Sequence, residues 1–173
     1  LVSCKVNKNN TTIEKQEDKV IDKNLEEEWI TLFDGASLDN WRGYLADNIY
    51  SEWAIEDGTL AFTPSEGGGK NIITKQKFTN FVLSLEWKIS EGGNSGIFLM
   101  ERYELQILDS YQNQTYSNGQ AGAVYKQYAP LVNATAPTGE WNTYDIIFTA
   151  PKFDQKGHLL SPAYLTALHN GVL

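Results

Sequence analysis

Soft metal ligands are almost missing from this sequence. A single cysteine excludes an internal disulfide framework, and the two histidines beside it are too few for a zinc cluster. Positive charge is also scarce. Fourteen Lys and Arg stand against 22 Asp and Glu, a formal net charge of −8, which argues against a nucleic-acid surface because phosphate binding needs clustered cations. No apolar run approaches the length of a membrane-spanning helix. No window with apolar weight repeats at 3.6 residues, so helical architectures are excluded as well.

What is present is a chain of 173 residues, 41% apolar and 12% aromatic, enough for one domain with a two-layer core. Two parts are distinguishable. Residues 1–28 open with Leu1-Val2-Ser3-Cys4 and continue through a polar stretch, Lys5 to Glu28, nearly free of aromatics. The opening tetrapeptide resembles the bacterial lipobox, and the stretch after it reads as a disordered tether. That resemblance implies an exported lipoprotein, periplasmic or outer-membrane-anchored, held by acyl chains on Cys4. Residues 29–173 form the folded unit.

Within that unit, short apolar runs alternate with Gly, Asn, Asp and Pro punctuation. Trp29 to Phe33 reads as a strand, and Trp53-Ala54-Ile55 and Thr59 to Phe62 flank Asp57-Gly58, a strong hairpin signal. Phe81, Leu83, Leu85, Trp87 and Ile89 alternate with Val82, Ser84, Glu86 and Lys88 in a long half-buried strand. Further strands are expected over 71–74, 123–128, 143–148 and 163–169, the last turning at Asn170-Gly171. Such spacing means an all-β sandwich or barrel. With no strand returning after Asn170-Gly171, closing C-terminal strands are expected beyond Leu173.

The stretch Gly92 to Asp109 carries the candidate chemistry. Side chains along a strand point alternately to opposite faces, so Glu104, Gln106 and Leu108 share one face and Tyr103, Leu105, Ile107 and Asp109 the other. A buried carboxylate without a partner is very costly. Glu104 and Gln106 therefore face either water or a polar cleft.

Several segments, in order, resemble the 3-keto-disaccharide hydrolase domain family. They are Leu32-Phe33-Asp34-Gly35 with Trp41, Trp53-Ala54-Ile55-Glu56-Asp57-Gly58, Gly93-Asn94-Ser95-Gly96-Ile97-Phe98, Tyr103 to Asp109, Gly122-Ala123-Val124-Tyr125, Leu131-Val132-Asn133, Glu140 to Tyr144 and His169-Asn170-Gly171. Lys126 and Ala129 depart from the pattern, standing where a Gly and a Pro are expected. The resemblance implies a two-sheet antiparallel jelly-roll sandwich of the concanavalin A-like lectin/glucanase type and a carbohydrate substrate already oxidised at C3. A C3 ketone acidifies the C2 proton; its removal gives an enolate that expels the aglycone from C1, and water then adds. That route needs a base and donors for two oxygens.

On this reading Glu104 is the base, or the ligand of a cation that stabilises the enolate. Gln106 donates to an oxyanion or a sugar hydroxyl, and His169 shuttles a proton. Asn94, Tyr125, Trp141, Asn142 and Asp109 are the candidates for holding the sugar. Glu104 and Gln106 are expected to line a concave face together with His169 and Asn142. No cofactor is certain from the sequence and a divalent cation stays open, since hard oxygen ligands such as Glu104 and Asp109 would suit calcium or magnesium better than zinc. Duller readings stand beside these: Asp109 as the cap of a turn, His169 as a hairpin-flanking residue, the tryptophans as core or rim. Two other functions compete. A retaining glycosidase needs two carboxylates about 5 Å apart, and here Gln106 occupies the second position. A lectin-like module would bind glycans without turnover.

Overall fold

The computed structural model describes residues 4–7, 29–66, 70–114 and 117–173. All regular structure among them is β. Thirteen strands run from β1 (Cys4–Asn7) and β2 (Trp29–Phe33) through the short β3 (Trp41–Gly43), β4 (Trp53–Glu56), β5 (Thr59–Phe62) and β6 (Ile72–Thr74) to the long β7 (Phe81–Trp87). The hairpin β8 (Asn94–Leu99) and β9 (Tyr103–Leu108) follows. Then come β10 (Asn142–Thr149), the small pair β11 (Lys152–Phe153) and β12 (Leu159–Ser161), and β13 (Tyr164–His169).

The main layer is a five-stranded antiparallel sheet in the order β13-β10-β7-β1-β2. Its centre follows directly from alternation. Phe81, Leu83, Leu85 and Trp87 on β7 and Tyr144, Ile146 and Phe148 on β10 all turn inward and are buried, which removes their apolar surface from water at about 25 cal/mol per Å². Their neighbours Ser84 and Asp145 face outward and hydrogen-bond to each other at 2.7 Å. The second layer is the β8–β9 hairpin, whose inward side chains Leu99, Leu105 and Ile107 join the same core. Two contacts fasten the layers: the rings of Tyr103 and Phe148 lie 5.8 Å apart, and the Tyr144 hydroxyl donates to the backbone oxygen of Gln106 at 2.6 Å. The all-β antiparallel sandwich expected from the sequence is the fold.

Three local expectations change. Lys5–Asn7, expected in the tether, belong to β1, which pairs with β2 on one side and β7 on the other, with Val6 1% exposed in the core. A four-residue segment with one apolar side chain has no periodicity of its own to announce it. Leu1-Val2-Ser3 of the lipobox-like opening and residues 8–28 of the expected tether lie outside the described residues. Residues 123–128, expected as a strand, form only the bridges Leu105↔Val124 and Val124↔Tyr128, because Lys126 takes a left-handed φ of 59° and turns the chain. The Pro151 to Pro162 connection holds the β11–β12 pair. By contrast, Asp57-Gly58 (φ 49° and 72°) and Asn170-Gly171 (φ 52° and 76°) turn as their sequences predict.

Candidate functional site

The β8–β9 register pairs Asn94 with Leu108, Gly96 with Gln106 and Phe98 with Glu104, with no shift between Tyr103 and Leu108. Since Ile97 and Leu99 face the core with Tyr103, Leu105 and Ile107, the six paired residues occupy the opposite face. Gly96 is essential to its shape. A Cβ at this position would collide with the Oε1, Cγ and Cδ atoms of Glu104, whose side chain lies across the glycine. On the far side of β9, residues 122–125 run alongside as a third row. Gly122 N donates to Gln106 O at 3.1 Å, Gln106 N to Ala123 O at 2.9 Å, and Tyr125 N to Glu104 O at 2.9 Å. The Leu105↔Val124 bridge turns Val124 coreward, so Tyr125 comes out on Glu104's face.

Glu104 is half-buried, and its carboxylate has no hydrogen-bond or ion-pair partner among the described residues. Burial raises its pKa above the ordinary carboxylate value, and the charge of Lys126 opposes that rise. Lys126 Nζ also sits 5.1 Å from the centre of the Tyr125 ring, a cation–π contact that keeps the ammonium beside the carboxylate. Such an unpartnered group can take a proton from whatever lies over Gly96.

Gln106 is buried beneath the 119–120 turn. Its Nε2 donates to Asn94 Oδ1 at 3.3 Å and to Gly119 O at 3.2 Å, while its Oε1 is shut off from solvent without a partner. Both amide hydrogens are thus engaged, which corrects the expectation that Gln106 donates to substrate. Its contribution is to orient Asn94. With Oδ1 accepting from Gln106, the exposed Asn94 presents its Nδ2 donor on Glu104's face.

The remaining candidates lie elsewhere. His169 and Asn142 are on the inner face of the main sheet, 6% and 1% exposed. Tyr144 beside them bonds to the core side of β9, so the backbone of β9 separates them from the Glu104 carboxylate. Asn142 Oδ1 accepts from Ala136 N at 2.8 Å and Asn170 Nδ2 at 2.9 Å. The His169 Nε2 contact at 3.0 Å is therefore also a donation. Burial lowers the His169 pKa to about 4, and the ring packs between Trp87 and Tyr144. The expectation of a proton shuttle at His169, and of Asn142 in the cleft, is corrected: both are core residues.

Asp109 accepts from Thr138 Oγ1 at 2.6 Å and from Gly92 N at 3.0 Å. These two bonds, Thr138 first, hold its pKa below the usual value. It caps the Gly92 turn, and the regular register of β9 keeps it off Glu104's face. Trp141 lies at the rim with Lys88 Nζ 4.9 Å above its ring. Among the described residues no three His, Cys, Asp or Glu side chains converge, and the Asp109 oxygens are engaged by Thr138 and Gly92, so Glu104 and Asp109 do not form a shared cation site. Gly96, Lys126 and Tyr144 were missed by sequence reading. Gly96 was within reach, because alternation along Asn94-Ser95-Gly96 places it on the face of Glu104.

The fold is an antiparallel β-sandwich of the concanavalin-like class. Residues 28–173 match the model of one family, described as a 3-keto-alpha-glucoside-1,2-lyase-like domain, and the chain belongs to that family. A 3-keto-disaccharide hydrolase from Bacteroides thetaiotaomicron is 34% identical, the match covering 69% of this chain and 52% of that protein. The chain thus spans about half the length of this curated relative. The crystal structure of a proposed glycosyl hydrolase from Parabacteroides distasonis is similar with a TM-score of 0.72 and 44% identity, over 83% of this chain and 62% of that one. A second structure from the same organism, 22% identical with a TM-score of 0.60 over 83% of this chain and 69% of that one, shows the shared fold.

Proposed function

We propose that this chain forms the reacting face of an enzyme that cleaves the glycosidic bond of 3-keto-glycosides, with Glu104 as the base. The observation carrying this reading is the Glu104 carboxylate itself. It lies across Gly96 on an open face, partly desolvated and without a protein partner. The ketone at C3 makes the C2 proton acidic. Glu104 takes that proton, and the C2–H electrons form the C2=C3 enolate. Collapse of the enolate restores the ketone as the C1–O bond breaks, and the aglycone leaves with a proton. Water then adds across the C1=C2 bond, giving the free 3-keto sugar. Asn94 Nδ2, on Glu104's face, and the ammonium of Lys126, whose charge acts on Glu104, are the donors assigned to the developing oxyanion.

A raised pKa suits this role, because a stronger base moves the proton better provided it remains ionised at working pH. A two-carboxylate glycosidase is disfavoured by Asp109, whose oxygens are held by Gly92 and Thr138. The test supplies a 3-keto-glucoside and the unmodified glucoside to the full-length protein and to its Glu104→Gln variant. Cleavage of the keto compound alone is expected, with kcat reduced about 10²–10⁴-fold in the variant. Equal cleavage of the plain glucoside, or full activity in Glu104→Gln, would overturn the reading. Binding without any turnover would favour the lectin-like alternative.

A further inference from the structure

Beyond the exit of β9 the surface opens into a hollow of about 740 Å³ lined by Tyr111, Gln112, Asn113, Gln114, Asn133 and Thr135. None of these side chains carries a charge. The hollow therefore offers nothing to neutralise a phosphate, a carboxylate or a metal ion. What it offers is the amides of Gln112 and Gln114, which both donate and accept, and one aromatic ring 43% exposed. That combination suits a polyhydroxylated neutral ligand: amides pair with hydroxyls, and the ring covers the apolar face of a sugar. Its volume falls within the range of about 300–1,000 Å³ usual for small-molecule sites.

The hollow is built rather than incidental. Asn113 N donates to Ser110 O at 2.9 Å, closing a turn. Asn133 Nδ2 clamps that turn by donating to Ser110 O at 2.8 Å and to Asn113 O at 3.1 Å, while its Oδ1 accepts from Thr135 N at 3.1 Å. Gln112 is held at a left-handed φ of 57°, a conformation that a non-glycine residue keeps only when its surroundings impose it.

We propose that this hollow is a second carbohydrate site, taking a neutral glycan at a place separate from Glu104. Strand β9 carries the chain about 13 Å from Glu104 to Leu108 and the lining of the hollow includes no residue of the reacting face, so the proposal does not depend on the role of Glu104. The full-length protein is titrated calorimetrically with maltotetraose, cellotetraose and laminaritetraose. At least one is expected to bind with a Kd of about 1 mM or tighter. Tyr111→Ala and the double variant Gln112→Ala/Gln114→Ala should each weaken it about tenfold or more. Glu104→Gln should bind unchanged. No heat with any of the three sugars at about 10 mM, retained affinity in Tyr111→Ala, or loss of binding in Glu104→Gln would overturn the proposal. Cleavage of a 3-keto-glucoside, measured separately, reports on Glu104 alone.

Discussion

Gly96 and Glu104 occupy one volume between them: the Glu104 carboxylate lies where a side chain at residue 96 would be. Gly96→Ala should therefore displace the carboxylate without touching the core behind β8. The expected result is a fall in kcat of about tenfold or more, since small misplacement of a reacting group is expensive, with a change in stability below about 1 kcal/mol. Turnover of a 3-keto-glucoside and a urea melt measure the two effects. Full activity in Gly96→Ala would mean that the placement of Glu104 is immaterial.

The pH dependence of Glu104 follows from its two neighbours. Burial raises its pKa above the usual 4.5 and Lys126 holds it back. Activity needs the ionised form, so it should rise with pH through a value above 4.5. Lys126→Met should move that acid limb to still higher pH. In stability the sign is reversed: the folded protein holds the Glu104 proton more tightly than the unfolded chain. That contribution is complete below the unfolded pKa and is lost as pH rises through the folded one. Glu104→Gln should consequently gain stability relative to wild type as pH rises to neutrality.

His169 acts on stability in the other direction. Its pKa falls from 6.5 to about 4 on folding, so the unfolded chain takes up a proton that the folded protein refuses. Its contribution is complete above pH 6.5 and declines as pH falls towards about 4. Urea denaturation of wild type and His169→Gln across that window should show a shallower loss for the variant. Activity in His169→Gln should keep the acid limb set by Glu104. A shifted limb would restore His169 to the chemistry.

Tyr144 is the polar bolt between the layers, donating to Gln106 O and accepting from Gly122 N at 2.8 Å. Tyr144→Phe removes both bonds while Gly122 N and Gln106 O keep each other, and should cost about 0.5–1.5 kcal/mol, read from chemical denaturation. An unchanged midpoint would show that the two layers are held by apolar packing alone.

The place of β1 is open to an equally direct check. Val6 is in the core between β2 and β7, so Val6→Asp should destabilise by about 3 kcal/mol or more. A variant as stable as wild type would return Cys4–Asn7 to a tether.

Much of the fold was legible because its signals are local. Alternation along β7, the Asp57-Gly58 turn and the Asn170-Gly171 turn each act over a few residues, where steric and burial preferences are strong. The face shared by Glu104 and Gln106 was legible for the same reason. What lies over or under that face was not. Gln106 is buried because the 119–120 turn folds onto it, and Asp109 is engaged because Thr138, distant in sequence, arrives beside it. His169 and Asn142 carry polar side chains that read as cleft residues, yet they satisfy each other inside the core.

The sequence by itself thus determined an all-β sandwich, its main hairpins and a strand with a carboxylate and an amide on one side, because strand periodicity and turn chemistry are properties of short segments. Only the tertiary structure decided which polar groups are left unpartnered, since that depends on long-range closure. It left Glu104 free over Gly96, took Gln106, Asp109 and His169 into internal hydrogen bonds, and drew Cys4–Asn7 into the main sheet.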